Sequence, residues 1–301
     1  MILRVTKRTR NFAPRFSNVV ELSYDVGVDQ AEHKLLVDFT RRIREDILGV
    51  YLHHGIAHLG SCLSVVEILS ILPLRHMRKF TPKEFSSEGD VLILSKGHAA
   101  VALYSLLKSL GFISQADLDS LTRVGSVFEE HPNFKIPTVV TATGSLGHGL
   151  PFGNGLALGR KVKGVDSHVY IVMSDGECNE GTVWESCAFA NANNLSNVTV
   201  LVDHNGWQAT GRIEETMPGI KLGEIFESFG WRSATVDGHD LIELDQAILT
   251  AKQSSRPTAI ICKTTKGNGV SFMEDDNNWH YRAPSQEEFD RAVAELMRRY
   301  A

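Results

Sequence analysis

Four short apolar runs, each ending in a polar loop, constrain the fold of this chain more than any other feature. They are HVYIVMSDGE (168–177), NVTVLVDHNG (197–206), WRSATVDGHD (231–240) and PTAIICKTTKG (257–267). Helical segments lie between them, including TVWESCAFANANN and ELDQAILTAKQ. Apolar strands that alternate with helices indicate an α/β fold, in which a parallel sheet carries helices on both faces. Functional loops of such a sheet are expected at the carboxyl ends of its strands.

The preceding half of the chain reads mainly as helices. Apolar residues recur at helical spacing from Asp29 to about Leu52, and a second helix is predicted from about Leu63 to Met77. A third helix at 99–111 closes at Gly111, because glycine is a common C-cap residue. We expect an N-terminal arm at 1–28, which carries basic residues at its start, and a single domain at 29–301.

Composition excludes several classes of protein. No apolar run approaches the roughly 20 residues that span a bilayer, so no membrane span is expected. A formal charge of −5 argues against a nucleic-acid-binding protein, which normally presents a basic face. The 4 cysteines form no CxxC pair, which favours reduced thiols and a cytoplasmic location.

Asp175 and Asn205 each follow an apolar run, and one β-α-β crossover separates them. Adjacent parallel strands would bring both side chains to the same edge of the sheet. A carboxylate and an amide oxygen form a partial shell for Mg²⁺ or Ca²⁺, and Mg²⁺ leaves other positions to phosphate and water. Asp and Asn also cap turns frequently. These two residues alone leave both interpretations open.

The string SDGECNEG followed by DHNG resembles the thiamin-diphosphate signature, with Ser174 and His204 as departures from it. Further segments occur in the order found in one family. They are AHLGS (57–61), LSKGHAAVALYSLL (94–107), HP followed by TGSLGHG (131–149) and KTTKGNGVSFME followed by WHYRAP (263–284). Over roughly residues 30–285 the chain resembles the N-terminal, diphosphate-binding half of transketolase, which implies the thiamin-diphosphate-binding (PP-domain) fold.

The resemblance implies a set of site residues. The Mg²⁺ ligands, which Ca²⁺ or Mn²⁺ could also use, are Asp175, Asn205 and the backbone carbonyl of Trp207. The positions that hold thiamin diphosphate are His98, Gly144, Leu146, Asp175, Gly176, Asn205 and His280. The catalytic positions are His58, His98, His131, Glu180 and His280.

The implied roles differ among these residues. His98 and His280 lie near the diphosphate and the reacting carbon in the family, whereas His58 and His131 contact sugar hydroxyls. Glu180 matches a carboxylate at the interface between subunits that relays protons, although an acid at a helix N-terminus also complements the helix dipole. His148 stands where the family usually has Gln.

In this family a two-carbon ketol unit passes from a ketose, often phosphorylated, to an aldose acceptor. The catalytic Glu lies in a pyrimidine-binding domain, for which the chain has no room before Ala301. GECNEG, VWE and GVSFME resemble split members of the family, so we expect a second subunit that carries this domain, in an α2β2 assembly. Two alternatives remain open: the α subunit of a 2-oxo-acid dehydrogenase first component, and a non-catalytic scaffold.

Overall fold

The computed structural model describes residues 28–81 and 88–300 and has a five-stranded sheet at its centre. The strands are β1 (Val91–Leu94), β2 (Val169–Ser174), β3 (Val198–His204), β4 (Arg232–Asp237) and β5 (Thr258–Lys263). Every pairing is parallel, and the spatial order is β1-β2-β3-β5-β4. The predicted parallel sheet is confirmed, and β1, which ends just before Ser95, adds a fifth strand to the four predicted apolar runs.

Helices surround this sheet. They are α1 (Gln30–His54), α2 (Leu59–Ser64), α3 (Val66–Ile71), α4 (Ala100–Ser109), α5 (Gln115–Asp119), α6 (Gly149–Val162), α7 (Gly181–Ala192), α8 (Ile213–Thr216), α9 (Leu222–Ser228), α10 (Leu241–Lys252) and α11 (Gln286–Arg299). A π-helical segment at Leu72–His76 and three 3₁₀ turns at Gly97–Ala99, Gly176–Asn179 and Asn277–His280 complete the helical elements of the described residues.

The first predicted helix is confirmed. A capping box at its start explains where α1 begins, since the Asp29 side chain accepts the Glu32 N–H at 2.8 Å. It ends at Gly55, whose φ of 62° is in the left-handed region that favours glycine.

The second predicted helix is longer and less regular than its apolar pattern indicates. It begins at Leu59 rather than near Leu63, is interrupted at Val65, and continues as the π-helical segment before Met77. Pro73 lies in that segment. Because proline has no N–H and its ring clashes with the preceding turn, it disrupts regular α-helix.

Both faces of the sheet are covered. Tyr170 and Val172 of β2 pack among residues of α1, α3, α4 and α10, whereas Ile171 and Met173 pack among residues of α6, α7 and α9. Each fully buried side chain of this kind contributes roughly 1.5–3 kcal/mol to folding. The helices therefore fix the strands, and the strands fix the loops at their carboxyl ends.

Two outer elements differ from the sequence prediction. The sequence analysis groups β4 with the apolar runs, which are expected to be buried. In the structure β4 is an edge strand, and none of its described residues is buried. The amphipathic helix α11, which was not expected from the sequence, begins with a capping box at Ser285 and packs on α1.

Among the described residues, no helix combines the length and apolar character required to cross a bilayer. All four cysteines are free and buried. The predicted N-terminal arm lies outside the described residues, apart from Val28.

Candidate active site

Polar side chains gather at the carboxyl edge of the sheet, where four strands end in loops. β2 and β3 are in register there, with Ser174 opposite Asp203, and Asp203 in turn lies opposite Cys262 of β5. The loops that follow β1, β2, β3 and β5 therefore start side by side. This is the edge at which the sequence predicts the functional loops.

Asp175 connects the loop after β2 to the loop after β3. Its carboxylate is buried and accepts the Gly206 N–H at 2.7 Å through Oδ2 and the Gly176 N–H at 2.8 Å through Oδ1. His204 Nδ1 lies 3.1 Å from the same Oδ2. Asn205 is thus flanked on both sides by residues that contact Asp175.

The orientation of the Asn205 amide follows from its neighbours. Its nitrogen lies 3.4 Å from the Asp203 carboxylate and 3.5 Å from Ser64 Oγ, both of which can accept a hydrogen bond. Its oxygen is consequently directed away from Asp203 and accepts the Trp207 N–H at 3.0 Å.

The oxygen atoms of the predicted ligand set are of the chemical type that binds magnesium. A carboxylate of Asp175, an amide oxygen of Asn205 and the carbonyl of Trp207 are hard oxygen ligands, and Mg²⁺ is commonly held by one or two carboxylates with water and phosphate. The described residues contain no cluster of three or more His, Cys, Asp and Glu side chains placed to bind a metal. The predicted ligand set includes only one such side chain.

Asp203 is a buried hub that was not expected from the sequence. Its carboxylate forms an ion pair with Lys96, accepts the Ser64 hydroxyl at 2.6 Å and accepts the Thr264 hydroxyl. Both side chains of the Lys96 pair are fully buried. Because Lys96 precedes His98 and Thr264 precedes Lys266, Asp203 holds the loops after β1 and β5 and the end of α2 together.

The four histidines predicted for the active site converge in one cluster. The ring of His58 lies 4.8 Å from that of His280, 5.5 Å from that of His98 and 6.2 Å from that of His131, measured between centroids. They come from four separate loops, so neither helix nor strand periodicity explains their proximity. We call His58, His98, His131 and His280 the histidine cluster.

His58 has a strained backbone that places it in this cluster. Its φ of 81° is left-handed, which is uncommon for a residue other than glycine. Its N–H donates to the His280 carbonyl at 2.7 Å, and its own carbonyl accepts the Cys62 N–H at 3.1 Å. Such strain is typical of residues at functional sites.

Three imidazoles of the histidine cluster, those of His58, His98 and His280, are held neutral at physiological pH. Burial and neighbouring positive charge lower the pKa of His58 to about 4 and that of His280 to about 3, and they lower the pKa of His98 well below its usual value. A neutral imidazole offers one donor and one acceptor, which suits it to bind hydroxyl groups.

Lys266 lies against the cluster and was likewise not expected from the sequence. Its ammonium group donates to Asn277 Oδ1 at 2.6 Å and lies 3.1 Å from His280 Nδ1. Burial and the nearby Lys96 lower its pKa to about 8. Both lysines stand in loops at the carboxyl ends of strands, which is the sequence signal that could have identified them.

Glu177 joins three further segments of the site. Its buried carboxylate accepts the Ser95 hydroxyl, the Gly147 N–H at 2.8 Å and the Ser174 N–H at 3.3 Å. Burial raises its pKa, and these hydrogen bonds oppose that rise. The loops that carry His98, Leu146 and Asp175 are therefore fixed relative to one another by one side chain.

The loop at 143–149 packs closely against its surroundings. Gly144 has a φ of 138°, and a Cβ added there would lie 2.7 Å from the His131 ring. Leu146, whose side chain is half-buried, is two residues further on in this loop. At Gly176 an added Cβ would lie 3.1 Å from the Gln208 side chain.

Glu180 and His148 lie at the periphery. Glu180 is exposed at the N-cap of α7, where its side chain makes no capping hydrogen bond. His148 is exposed, and its Nδ1 lies 3.0 Å from the Leu146 carbonyl. The structure brings neither into the histidine cluster.

The chain matches a known family along most of its length. The model of the family described as the transketolase, thiamine diphosphate binding domain matches residues 33–296. The chain is 34% identical over 243 residues to one of the subunits of apulose-4-phosphate transketolase from Phocaeicola vulgatus, a match that covers 80% of this chain and 86% of that protein.

A longer relative and a solved structure also match this chain as transketolases. The chain is 36% identical over 274 residues to transketolase-like protein 2 of Homo sapiens. This match covers 90% of this chain and 44% of the human protein. The crystal structure of transketolase from Campylobacter jejuni superimposes with a TM-score of 0.81 at 27% identity, covering 90% of this chain and 43% of that one. The chain thus spans less than half the length of these two proteins.

Proposed function

The chain belongs to the family of transketolase thiamine-diphosphate-binding domains, and we propose that it is the diphosphate-binding subunit of a two-chain transketolase. It transfers a two-carbon ketol unit from a ketose or ketose phosphate to an aldose acceptor. The observation that carries this proposal is the convergence of the histidine cluster at the sheet edge where the loops that carry Asp175 and Asn205 are hydrogen-bonded to each other. A metal–diphosphate anchor beside sugar-binding imidazoles is what ketol transfer requires.

In this proposal the oxygens of Asp175 and Asn205 and the carbonyl of Trp207 hold Mg²⁺, which binds the diphosphate. Asp203 keeps the Asn205 amide turned so that its oxygen is available to the cation. His98, Gly144, Leu146, Gly176 and His280 line the remaining contacts with the cofactor. When bound, thiamin diphosphate supplies the carbon nucleophile and the electron sink for the reaction.

The histidine cluster provides hydrogen bonds to substrate in this proposal. Because their pKa values are lowered, His58 and His280 stay neutral near pH 7 and can each donate and accept. His58 and His131 bind the hydroxyl groups of the sugar, whereas His98 and His280 lie toward the reacting carbon. His280 is buried and the other three are half-buried, which limits competition from water.

The remaining elements of the proposal concern the partner. The Phocaeicola vulgatus relative is itself named as one subunit of a transketolase, and the match covers 86% of its length, which supports a separate second chain. That chain supplies the pyrimidine-binding domain and its glutamate, and two copies of each chain assemble. Glu180, exposed at the start of α7, relays protons at the contact between subunits. Free, buried thiols support a cytoplasmic location.

A reconstitution assay tests the proposal. The chain is combined with a separately produced pyrimidine-binding subunit, Mg²⁺ and thiamin diphosphate, and ketol transfer is screened across ketose donors and aldose acceptors. We expect turnover by the wild-type pair and a loss of about 100-fold or more in kcat/KM for His280→Asn. His53→Asn is the matched control, because His53 is exposed and lies outside the cluster.

Two results would overturn the proposal. Oxidative decarboxylation of pyruvate by the pair would identify a 2-oxo-acid dehydrogenase component. Failure of the pair to bind thiamin diphosphate with Mg²⁺ would identify a non-catalytic scaffold.

A further inference from the structure

A chain of polar contacts reaches the loop at 264–268 from α1 and α3. It starts at Arg44 of α1, which is fully buried and donates to Glu67 Oε2 at 2.8 Å. The same Glu67 oxygen lies 3.0 Å from His239 Nδ1. Burial raises the pKa of Glu67, but Arg44 and His239 lower it to about 2. Glu67 is therefore an ionised group that can only accept.

The two ring nitrogens of His239 have different partners. Nδ1 faces the Glu67 carboxylate and must donate to it, whereas Nε2 accepts the Thr265 backbone N–H at 2.8 Å. The Asn268 side-chain amide also lies 3.1 Å from Nδ1 and can turn its oxygen toward that N–H. These contacts select the tautomer that carries its proton on Nδ1.

Thr265 is directly followed by Lys266, so the hydrogen bond to His239 bears on the position of the ammonium group. Arg44 Nε donates to the Asn268 carbonyl at 3.1 Å on the other side of Lys266. The ammonium group lies 3.1 Å from His280 Nδ1. Because an ammonium group can only donate, His280 accepts at Nδ1 and carries its proton on Nε2.

We propose that His239 is a positioning residue for the histidine cluster: its acceptance of the Thr265 N–H fixes the loop at 264–268, and the fixed Lys266 keeps the His280 proton on Nε2. Glu67 and Arg44 support this arrangement by fixing the tautomer of His239. The inference rests on the proposed function only for the use of His280 in binding cofactor and sugar. The positions of the two protons can be measured without either.

Two substitutions separate the contacts of His239. His239→Gln can place an amide oxygen near the former Nε2 and retain the acceptor for Thr265. His239→Asn reaches only the former Nδ1 position, so it retains a partner for Glu67 and loses the acceptor for Thr265. Urea denaturation and circular dichroism of both variants establish that each is folded.

The first readout is NMR of the ¹⁵N-labelled chain at pH 7.5. Long-range ¹H–¹⁵N spectra of the imidazoles should show His239 protonated on Nδ1 and His280 on Nε2, with assignments from His239→Gln and His280→Asn. We expect His239→Asn to shift the His280 nitrogen resonances and to speed exchange of the Thr265 amide about 10-fold. His239→Gln should leave both near their wild-type values.

The second readout is the KM for thiamin diphosphate in the reconstituted pair. It should rise about 10-fold in His239→Asn and be largely restored in His239→Gln. A wild-type His239 protonated on Nε2, or equal behaviour of the two variants in NMR and KM, would overturn the inference. Absence of ketol transfer by the wild-type pair would instead overturn the proposed function and leave the NMR result standing.

Discussion

Replacement of Asp203 by Asn tests the buried hub beneath the candidate active site. The change preserves side-chain volume but removes the negative charge that forms an ion pair with Lys96, and both side chains of this pair are fully buried. It also places an amide N–H₂ among groups that donate to Asp203, which are Ser64, Thr264 and the Asn205 amide.

The expected loss of stability is large. Removal of one member of a buried ion pair costs about 3–5 kcal/mol, because the remaining charge is buried without compensation. The exposed pair of Lys221 and Glu224, with side chains 72% and 69% exposed, provides the control. Lys221→Met should change stability by less than about 0.5 kcal/mol.

Urea denaturation of the purified chain, followed by circular dichroism, measures these differences. A double-mutant cycle adds Lys96→Met, Asp203→Leu and the variant that combines these two changes, in which both charges are absent. The combined variant should recover much of the loss, because a buried pair replaced by apolar groups is often nearly neutral. A loss below about 1 kcal/mol for Asp203→Asn, together with additive single changes, would show that the pair is not the buried, mutually dependent hub described above.

Three further predictions concern the same edge of the sheet. Gly147→Ala should lower the free energy of unfolding by about 1–3 kcal/mol, because Gly147 has a φ of 80° and the added methyl group would contact the start of α7. Gly155→Ala is the control: this position lies in open space on α6, so the change should be neutral or stabilising in urea denaturation. The free energy of unfolding should fall by at least about 1 kcal/mol between pH 7.5 and pH 5. In the folded chain the pKa values of His58 and His280 are lowered to about 4 and about 3, so both stay neutral at pH 5, whereas in the unfolded chain both bind a proton. Glu177→Ala should lower the urea midpoint more than Glu177→Gln, which retains an oxygen to accept the same N–H groups.

Each of these predictions has a contrary result. Equal effects of alanine at Gly147 and Gly155 would contradict the tight packing of the 143–149 loop. A urea midpoint that stays constant or rises toward pH 5 would contradict neutral, buried imidazoles. Equal stability of the two Glu177 variants would show that the three loops do not depend on the carboxylate oxygens.

Much of this site could be predicted because its residues follow strands. The apolar runs before Asp175 and Asn205 predict adjacent parallel strands, and register then brings the two residues to one edge. The resemblance of ordered segments to one family extended the prediction to the four histidines. The fold brings these residues together from four loops.

Other features depend on contacts that the sequence pattern does not encode. Lys96 and Asp203 are 107 residues apart, and Glu67 and His239 are 172 residues apart. From the sequence alone, each of these four polar residues would be expected at the surface. Only the packing of the helices on the sheet places each one beside its partner. The left-handed backbone of His58, which starts α2 four residues before the predicted position, is likewise set by its hydrogen bond to His280.

Titration of thiamin diphosphate into the reconstituted pair is the most direct test of the proposed metal–diphosphate anchor. Isothermal titration calorimetry compares the wild type and Asn205→Ala, each with Mg²⁺ and with EDTA. We predict saturable, Mg²⁺-dependent binding by the wild type, and affinity weaker by about 10- to 100-fold for Asn205→Ala with Mg²⁺. Equal affinity with EDTA, or wild-type affinity in Asn205→Ala, would contradict the proposal.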